Sequence, residues 1–364
     1  MMDQKNLQRP PAEMTYADEL ARLRDSDSSP RPPGWQMSLN AARKFILGDA
    51  KLKISAKMVA PVAAIERMLV TLATGRGLML VGEPGTAKSM LSELLAAAIS
   101  GNSGLTIQGG ASISEDQIKY SWNYALLINE GPSPKALVPA PLYQGMQLGQ
   151  IVRFEEITRA PLEVQDCLLG MLSDRVMAIP ELSGEHAMLY GRAGFNIIAT
   201  ANTRDRGVNE MSAALKRRFD FETVFPIMDF AQELALVSAS SAKLLAQSGI
   251  PHTVPESVLE LLVTTFRDLR GSTQQAAGDN SMDKLTAVMS TAEAVNVAHA
   301  VGVRAWFLEQ RTGTPADLVD CIAGTVVKDH QDDRNKLQRY FEQKINRRSG
   351  EHWQAYYTAR HRLP

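Results

Sequence analysis

The chain has 364 residues, 45% of them hydrophobic, with 40 acidic against 39 basic side chains for a formal net charge of −1. That is enough apolar material for one large core and a smaller domain, and it excludes a chain that meets nucleic acid through an overall basic surplus. Two cysteines, Cys167 and Cys321, and six scattered histidines offer neither a disulfide framework nor a metal-ligand spacing, and no secretory signal or membrane-length apolar run is read, so the expected setting is cytoplasmic with no membrane partner.

Residues 1–36 are polar and finish in Asp25-Ser26-Asp27-Ser28-Ser29-Pro30-Arg31-Pro32-Pro33-Gly34, which reads as an N-terminal tail and linker. A short helix over Met14 to Arg24 is expected there, formed against a partner. An α/β nucleotide-binding core is expected over 37–228. Within it, Leu78-Met79-Leu80-Val81 is an apolar strand that delivers the chain to Gly82-Glu83-Pro84-Gly85-Thr86-Ala87-Lys88-Ser89, the pattern of a phosphate-binding loop. The loop N–H groups and the N-terminus of the next helix would face a polyphosphate, Lys88 would reach its β and γ phosphates, and the Ser89 hydroxyl would ligate Mg²⁺. The pattern's second fixed glycine is replaced by Ala87, which is comfortable only where φ is negative. Ala87 is therefore expected to belong to the helix turn, with Gly85 supplying the freedom. A plain strand-turn-helix connection is the alternative.

Beyond the loop, Met90, Leu91, Leu94, Leu95, Ala98 and Ile99 mark one apolar face of a helix, and Leu105 to Gln108 reads as the next strand. Alternating strands and helices predict an α/β fold around a parallel sheet, with ligand at the carboxyl ends of its strands. Between Gly109 and Ile151 lies a long insertion containing a hairpin candidate from Ala136 to Leu148. The strand Gln150 to Phe154 then ends in Glu155-Glu156. Such a pair can divide its labour, Glu155 holding Mg²⁺ and Glu156 orienting or deprotonating the attacking water; a solvated acidic pair is the alternative. Arg153 interrupts the strand and needs a partner or a route to water. A second hairpin is expected from Arg175 to Tyr190, an apolar strand from Phe195 to Asn202, and a closing strand near Phe221 to Phe225.

From Asp229 the pattern is helical, giving a lid and C-terminal tail over 229–364. Val258, Leu261, Leu262, Phe266 and Leu269 share one face, and Leu285, Val288, Met289, Ala292 and Val295 another. Thr314-Pro315 opens a further helix. His299 reads as packed or solvated, and the basic, aromatic end around Trp353, Tyr356 and Tyr357 as a docked terminal helix.

In several segments the chain resembles the MoxR-type AAA+ ATPases, related to the magnesium-chelatase motor subunits. These segments are the loop, the carboxylate pair, Ile157-Thr158-Arg159-Ala160-Pro161 with the following glutamine-bearing helix, Asn202, and Asn209 to Asp220 with its Arg-Phe ending. The resemblance implies a P-loop AAA+ core with a helical lid. It makes Asn202 a sensor of the γ phosphate and Arg218 an arginine finger offered to a neighbouring subunit in a self-assembled ring, a hexamer in this family. Asn202 as a turn residue and Arg218 as a solvated helix end are the alternatives. The family's lid sensor is an arginine in Ser-x-Arg. Here Ser281-Met282-Asp283-Lys284 leaves Lys284 as the nucleotide-contacting substitute. The resemblance further implies an Mg-ATP-driven chaperone that remodels a client protein, such as one with a von Willebrand factor A domain. A nucleic-acid motor, a small-molecule kinase and a scaffold gated by nucleotide with little hydrolysis are the competing classes.

Overall fold

Nine strands occur among the described residues: β1 Gly77–Gly82, β2 Thr106–Gln108, β3 Tyr120–Trp122, β4 Leu137–Pro139, β5 Ile151–Glu155, β6 Val176–Ala178, β7 Met188–Tyr190, β8 Asn196–Asn202 and β9 Phe219–Thr223. The computed structural model describes residues 7–202, 210–271, 289–327 and 331–363. Two units separate in it, one comprising Met1–Glu83 and Ala87–Val224, the other Pro84–Thr86 and Phe225–Pro364.

In the first unit, five strands form one sheet in the order β2-β5-β8-β1-β9, with every neighbouring pair parallel. β5 is buried along its whole length and β8 at all but its last residue, as expected where both faces of a parallel sheet are covered. Strand alternation distributes the side chains between two cores. Leu78 and Leu80 join the cluster built by the helices Val62–Ala73 and Lys88–Ser100, whereas Met79 joins the opposite cluster with Val152, Phe154, Ile197 and Ala199. The result is an α/β/α arrangement in which Gly82, Gln108, Glu155 and Asn202, each the last residue of its strand, share the carboxyl edge of the sheet. β9 closes the opposite side of the order, and its carboxylates are paired, Glu222 with Arg67 and Asp220 with Arg76.

Two segments depart from expectation. The N-terminal stretch is no linker, because the helices Ala12–Thr15 and Ala17–Ser26 bury Ala12, Leu20 and Leu23 in the first of these cores. The Lys57 ammonium holds them there. It donates to Glu19 Oε2 at 2.6 Å and to the Phe45 carbonyl at 2.9 Å, and lies over the rings of Tyr16 and Phe45 at 4.6 and 4.3 Å. The expected hairpin from Ala136 to Leu148 is replaced by a strand and a helix. β4 pairs antiparallel with β3, and Pro141 opens the helix Pro141–Leu148, a first-turn position where its missing N–H is not needed. The second hairpin forms as expected, β6 against β7.

The described elements of the second unit are helical: Phe230–Gln247, Glu256–Gly271, Thr291–Glu309, Pro315–Val326, Gln331–Gln343 and Glu351–Thr358 are its longest. Val258, Leu261, Leu262, Phe266 and Leu269 are buried as one face. Of the second expected face, Leu285 and Val288 lie outside the described residues. Met289 precedes the helix, whose capping box is Ser290 with Glu293. His299 is packed rather than placed as a ligand, its Nε2 2.9 Å from Ser248 Oγ, and burial lowers its pKa. Trp353 and Tyr356 dock the last helix into the core. No helix among the described residues is long and apolar enough to cross a membrane.

Asp317, fully buried, ties this unit together. It accepts from Arg304, from Arg311 Nη1 at 2.5 Å and from the Thr314 hydroxyl and N–H at 2.7 and 2.9 Å. Burial pushes its carboxyl up, but the Arg311 and Thr314 hydrogen bonds outweigh it and hold the pKa at about 2. A folded-state pKa below the unfolded value near 4 means that the contribution is present above about pH 4 and is lost as pH falls toward 2. Denaturant melts between pH 5 and pH 2.5 should therefore show on the order of 2 kcal/mol of acid-labile stability that Asp317→Asn removes.

Candidate active site

The loop expected to bind phosphate joins β1 to the helix Lys88–Ser100 at the carboxyl edge of the sheet. Gly85 has φ 76°, as its assigned role requires. Ala87, however, does not belong to the helix turn. It is the N-cap residue at φ 63° and ψ 26°, in the left-handed region that the pattern's glycine would occupy without strain. The sequence departs from the pattern at a position where the departure costs energy, so the backbone has kept the glycine conformation while the side chain has changed. Lys88 is buried and bends back over the loop, donating to the carbonyls of Gly82 at 3.1 Å and Glu83 at 2.7 Å. Pro84 and Thr86 complete the loop, both partly buried.

Register brings the remaining groups to the same edge. β1 and β8 pair so that Gly82 lies beside Asn202, and β5 and β8 pair so that Phe154 lies beside Ala199. Glu155 consequently meets the buried Thr200 and the first turn of the helix after the loop. Its Oε2 accepts from Ser89 Oγ at 2.7 Å and Thr200 Oγ1 at 2.9 Å, and its Oε1 from Ser92 Oγ at 2.6 Å and Arg153 Nη2 at 2.8 Å. Arg153 thus has its partner. Burial pushes the Glu155 carboxyl up, but the hydroxyls of Ser92 and Ser89, the Arg153 charge and Thr200 together hold it below the usual carboxylate range. It is an anion at neutral pH.

Glu156 turns the other way because it, too, is left-handed, at φ 54° and ψ 45°. Its N–H donates to Thr200 Oγ1 at 2.9 Å, and its carboxylate, one-third exposed, pairs with Arg159 Nε at 3.1 Å. The two adjacent carboxylates are therefore separated in environment, one buried beside Ser89 and one at the rim. Gly109 makes room for this turn, since a Cβ there would come within 2.1 Å of the Glu156 carbonyl oxygen. Non-glycine left-handed residues cost about 1–3 kcal/mol and gather where an active site demands them.

The oxygens of Ser89 and Glu155, with water, are the hard donor set that Mg²⁺ takes, so the residues present fit the metal. Arg218 lies at the other end of the sheet. Its carbonyl accepts from the Gly77 N–H at 2.9 Å, its Nε donates to Ser173 Oγ at 2.7 Å, and Phe219 pairs with Gly77 at the start of β1. Lys284 lies outside the described residues. Sequence reasoning missed Ser92, Thr200, Arg159 and Gly109. The signals were present: Ser92 is one helical turn from Ser89, Thr200 points to the same strand face as Asn202, and Gly109 directly follows β2.

Residues 77–219 match the family described as AAA domain (dynein-related subfamily), and residues 231–364 match the YehL-like AAA+ ATPase C-terminal domain. The chain is similar to YehL of Escherichia coli strain K12, 74% identical over 365 residues with the whole of both chains covered. Among solved structures it is similar to NtrX from Brucella abortus in complex with ATP, at 14% identity and TM-score 0.49, covering 79% of this chain and 62% of that one. The complex of NtrX with ADP gives 14% identity and TM-score 0.48, covering 83% and 64%, so this chain spans less than two thirds of NtrX.

The left-handed Ala87 gives a direct test. Ala87→Gly should raise the stability of the nucleotide-free protein by up to about 1 kcal/mol, read by urea denaturation, because the strain relieved exceeds the added flexibility of the unfolded chain. An unchanged or lower midpoint would show that the loop is not strained there.

Proposed function

Because the chain belongs to the YehL family of AAA+ ATPases, we propose that it hydrolyses Mg-ATP in a ring of its own copies and uses the cycle to remodel a partner protein. The observation that carries this reading is the convergence of Lys88, Ser89, Glu155, Glu156 and Asn202 at one sheet edge while Arg218 sits at the opposite end of the same strands. From Gly77 to Gly82 the strand runs ~16 Å at about 3.3 Å per residue, farther than an arginine side chain reaches. Arg218 is thus out of reach of its own site, which supports the reading that it serves a neighbour's.

The role of each residue is read from the motif and from its place at the carboxyl edge of the sheet. Lys88 neutralises the β and γ phosphates, the loop N–H groups with the helix N-terminus bind them, and Asn202 contacts the γ phosphate or the water. Ser89 and Glu155 would hold magnesium, whose charge would offset that of the phosphates. Glu156 accepts the proton of the attacking water once its carboxylate leaves Arg159, a partly exposed pairing of small energy. The motifs shared with MoxR-type ATPases support a chaperone working in the cytoplasm as a hexamer on a client such as a von Willebrand factor A domain protein. A second reading, a nucleotide-gated scaffold with little turnover, is favoured by Glu155 standing where such sites usually carry Asp and by its pairing with Arg153.

Lys88→Ala should lose nucleotide binding. Glu156→Gln should keep ATP bound while turnover falls about 10²- to 10⁴-fold, and parent-like turnover in that variant would refute the role given to the carboxylate. Steady-state hydrolysis should rise per subunit as light scattering reports assembly with Mg-ATP. Arg218→Ala should cut turnover by about 10³-fold or more with binding retained, and mixing it with Lys88→Ala subunits should restore part of the loss. Assembly on ATP without turnover would favour the scaffold.

A further inference from the structure

The charge that interrupts β5 is left unused by the phosphate chemistry. Arg153 is 7% exposed, and its guanidinium is spent on fixed partners. Nη2 donates to Glu155 Oε1 at 2.8 Å and the Ser89 carbonyl at 3.0 Å, Nε to Ser92 Oγ at 2.9 Å, and Nη1 to the Ser103 carbonyl at 3.1 Å and Thr106 Oγ1 at 3.3 Å. This divides the carboxylate. Oε1 is tied back by Arg153 and Ser92, and Oε2 is left facing the hydroxyls of Ser89 and Thr200. Stability alone is a poor reason for such a pair, since buried ion pairs can often be replaced by apolar residues at little cost.

We propose that Arg153 is a positioning residue, a built-in counter-cation that orients Glu155 through Oε1 and suppresses divalent-metal binding until a nucleotide supplies its own phosphate charge. The inference rests on the reading of Glu155 as the metal carboxylate. One carboxylate already neutralised by a guanidinium, together with a neutral hydroxyl, offers a divalent ion little net attraction, and in a buried site the guanidinium repels it with weak screening. Mg²⁺ in particular surrenders its water reluctantly and binds best with substrate phosphates. The phosphates of ATP reverse the balance, and Oε2 with the Ser89 hydroxyl is the face then presented. Metal admission becomes conditional on nucleotide.

The test titrates Mn²⁺, read by the electron paramagnetic resonance signal of the free ion, into the full chain alone and with a non-hydrolysable ATP analogue. The parent should bind Mn²⁺ tightly only with the analogue. Arg153→Gln, which keeps amide donors but not the charge, should bind Mn²⁺ without nucleotide at least tenfold tighter than the parent, whereas Arg153→Lys should stay at the parent level. A purely structural role predicts no such gain. If the glutamine variant does not fold, Arg153→Met carries the same expectation. Parent-level Mn²⁺ affinity in the neutral variants would overturn the proposal while leaving the site's function standing. Failure of the parent to take up Mn²⁺ even with the analogue would instead overturn the metal role of Glu155 itself.

Discussion

A single buried carboxylate organises the nucleotide edge of this protein. Glu155 joins β5 to β8 through Thr200, to the helix after the loop through Ser89 and Ser92, and to its own strand through Arg153. Removing such a charge from water is costly, and an uncompensated one would take up a proton instead. Four donors offset that cost. They can converge only if the strand register and the helix phase are both correct, so the fold and the electrostatics of the site specify each other.

The elements were legible wherever a period decides. β1, β2, β5, β8 and the helix after the loop follow from apolar runs, helical spacing and the glycine-rich turn, and their order points to a parallel sheet with ligand at its carboxyl edge. What failed was local geometry fixed by distant contacts. Ala87 was expected in a helical conformation because alanine prefers one. The loop holds it left-handed, and nothing in the neighbouring residues announces that. The N-terminal segment was read as a polar tail whose short helix needs a partner, but its helices pack on the core of this chain instead. Three buried apolar side chains and the Lys57–Glu19 pair suffice to pin them. The helix from Pro141 was mistaken for half a hairpin because proline and glycine punctuate both.

The candidate residues could be proposed from sequence, but their connections could not. Lys88, Ser89, Glu155 and Glu156 were proposed from the loop pattern and a strand end, and Asn202 and Arg218 from the family resemblance. That Glu155 and Glu156 occupy opposite environments depends on one left-handed residue and on the missing side chain of Gly109. Adjacent in sequence and identical in chemistry, the two carboxylates are distinguished by backbone alone.

The acidic stripe on β9 bears on how copies of this chain can meet. A sheet edge is a template for adding a strand from another molecule, and charged side chains along it are among the devices that discourage such growth. Asp220 and Glu222 alternate along this edge and are held by Arg76 and Arg67. Backbone pairing between two such edges would crowd these ion pairs against each other. The ion pairs along β9 thus guard an open strand edge against uncontrolled growth into fibres.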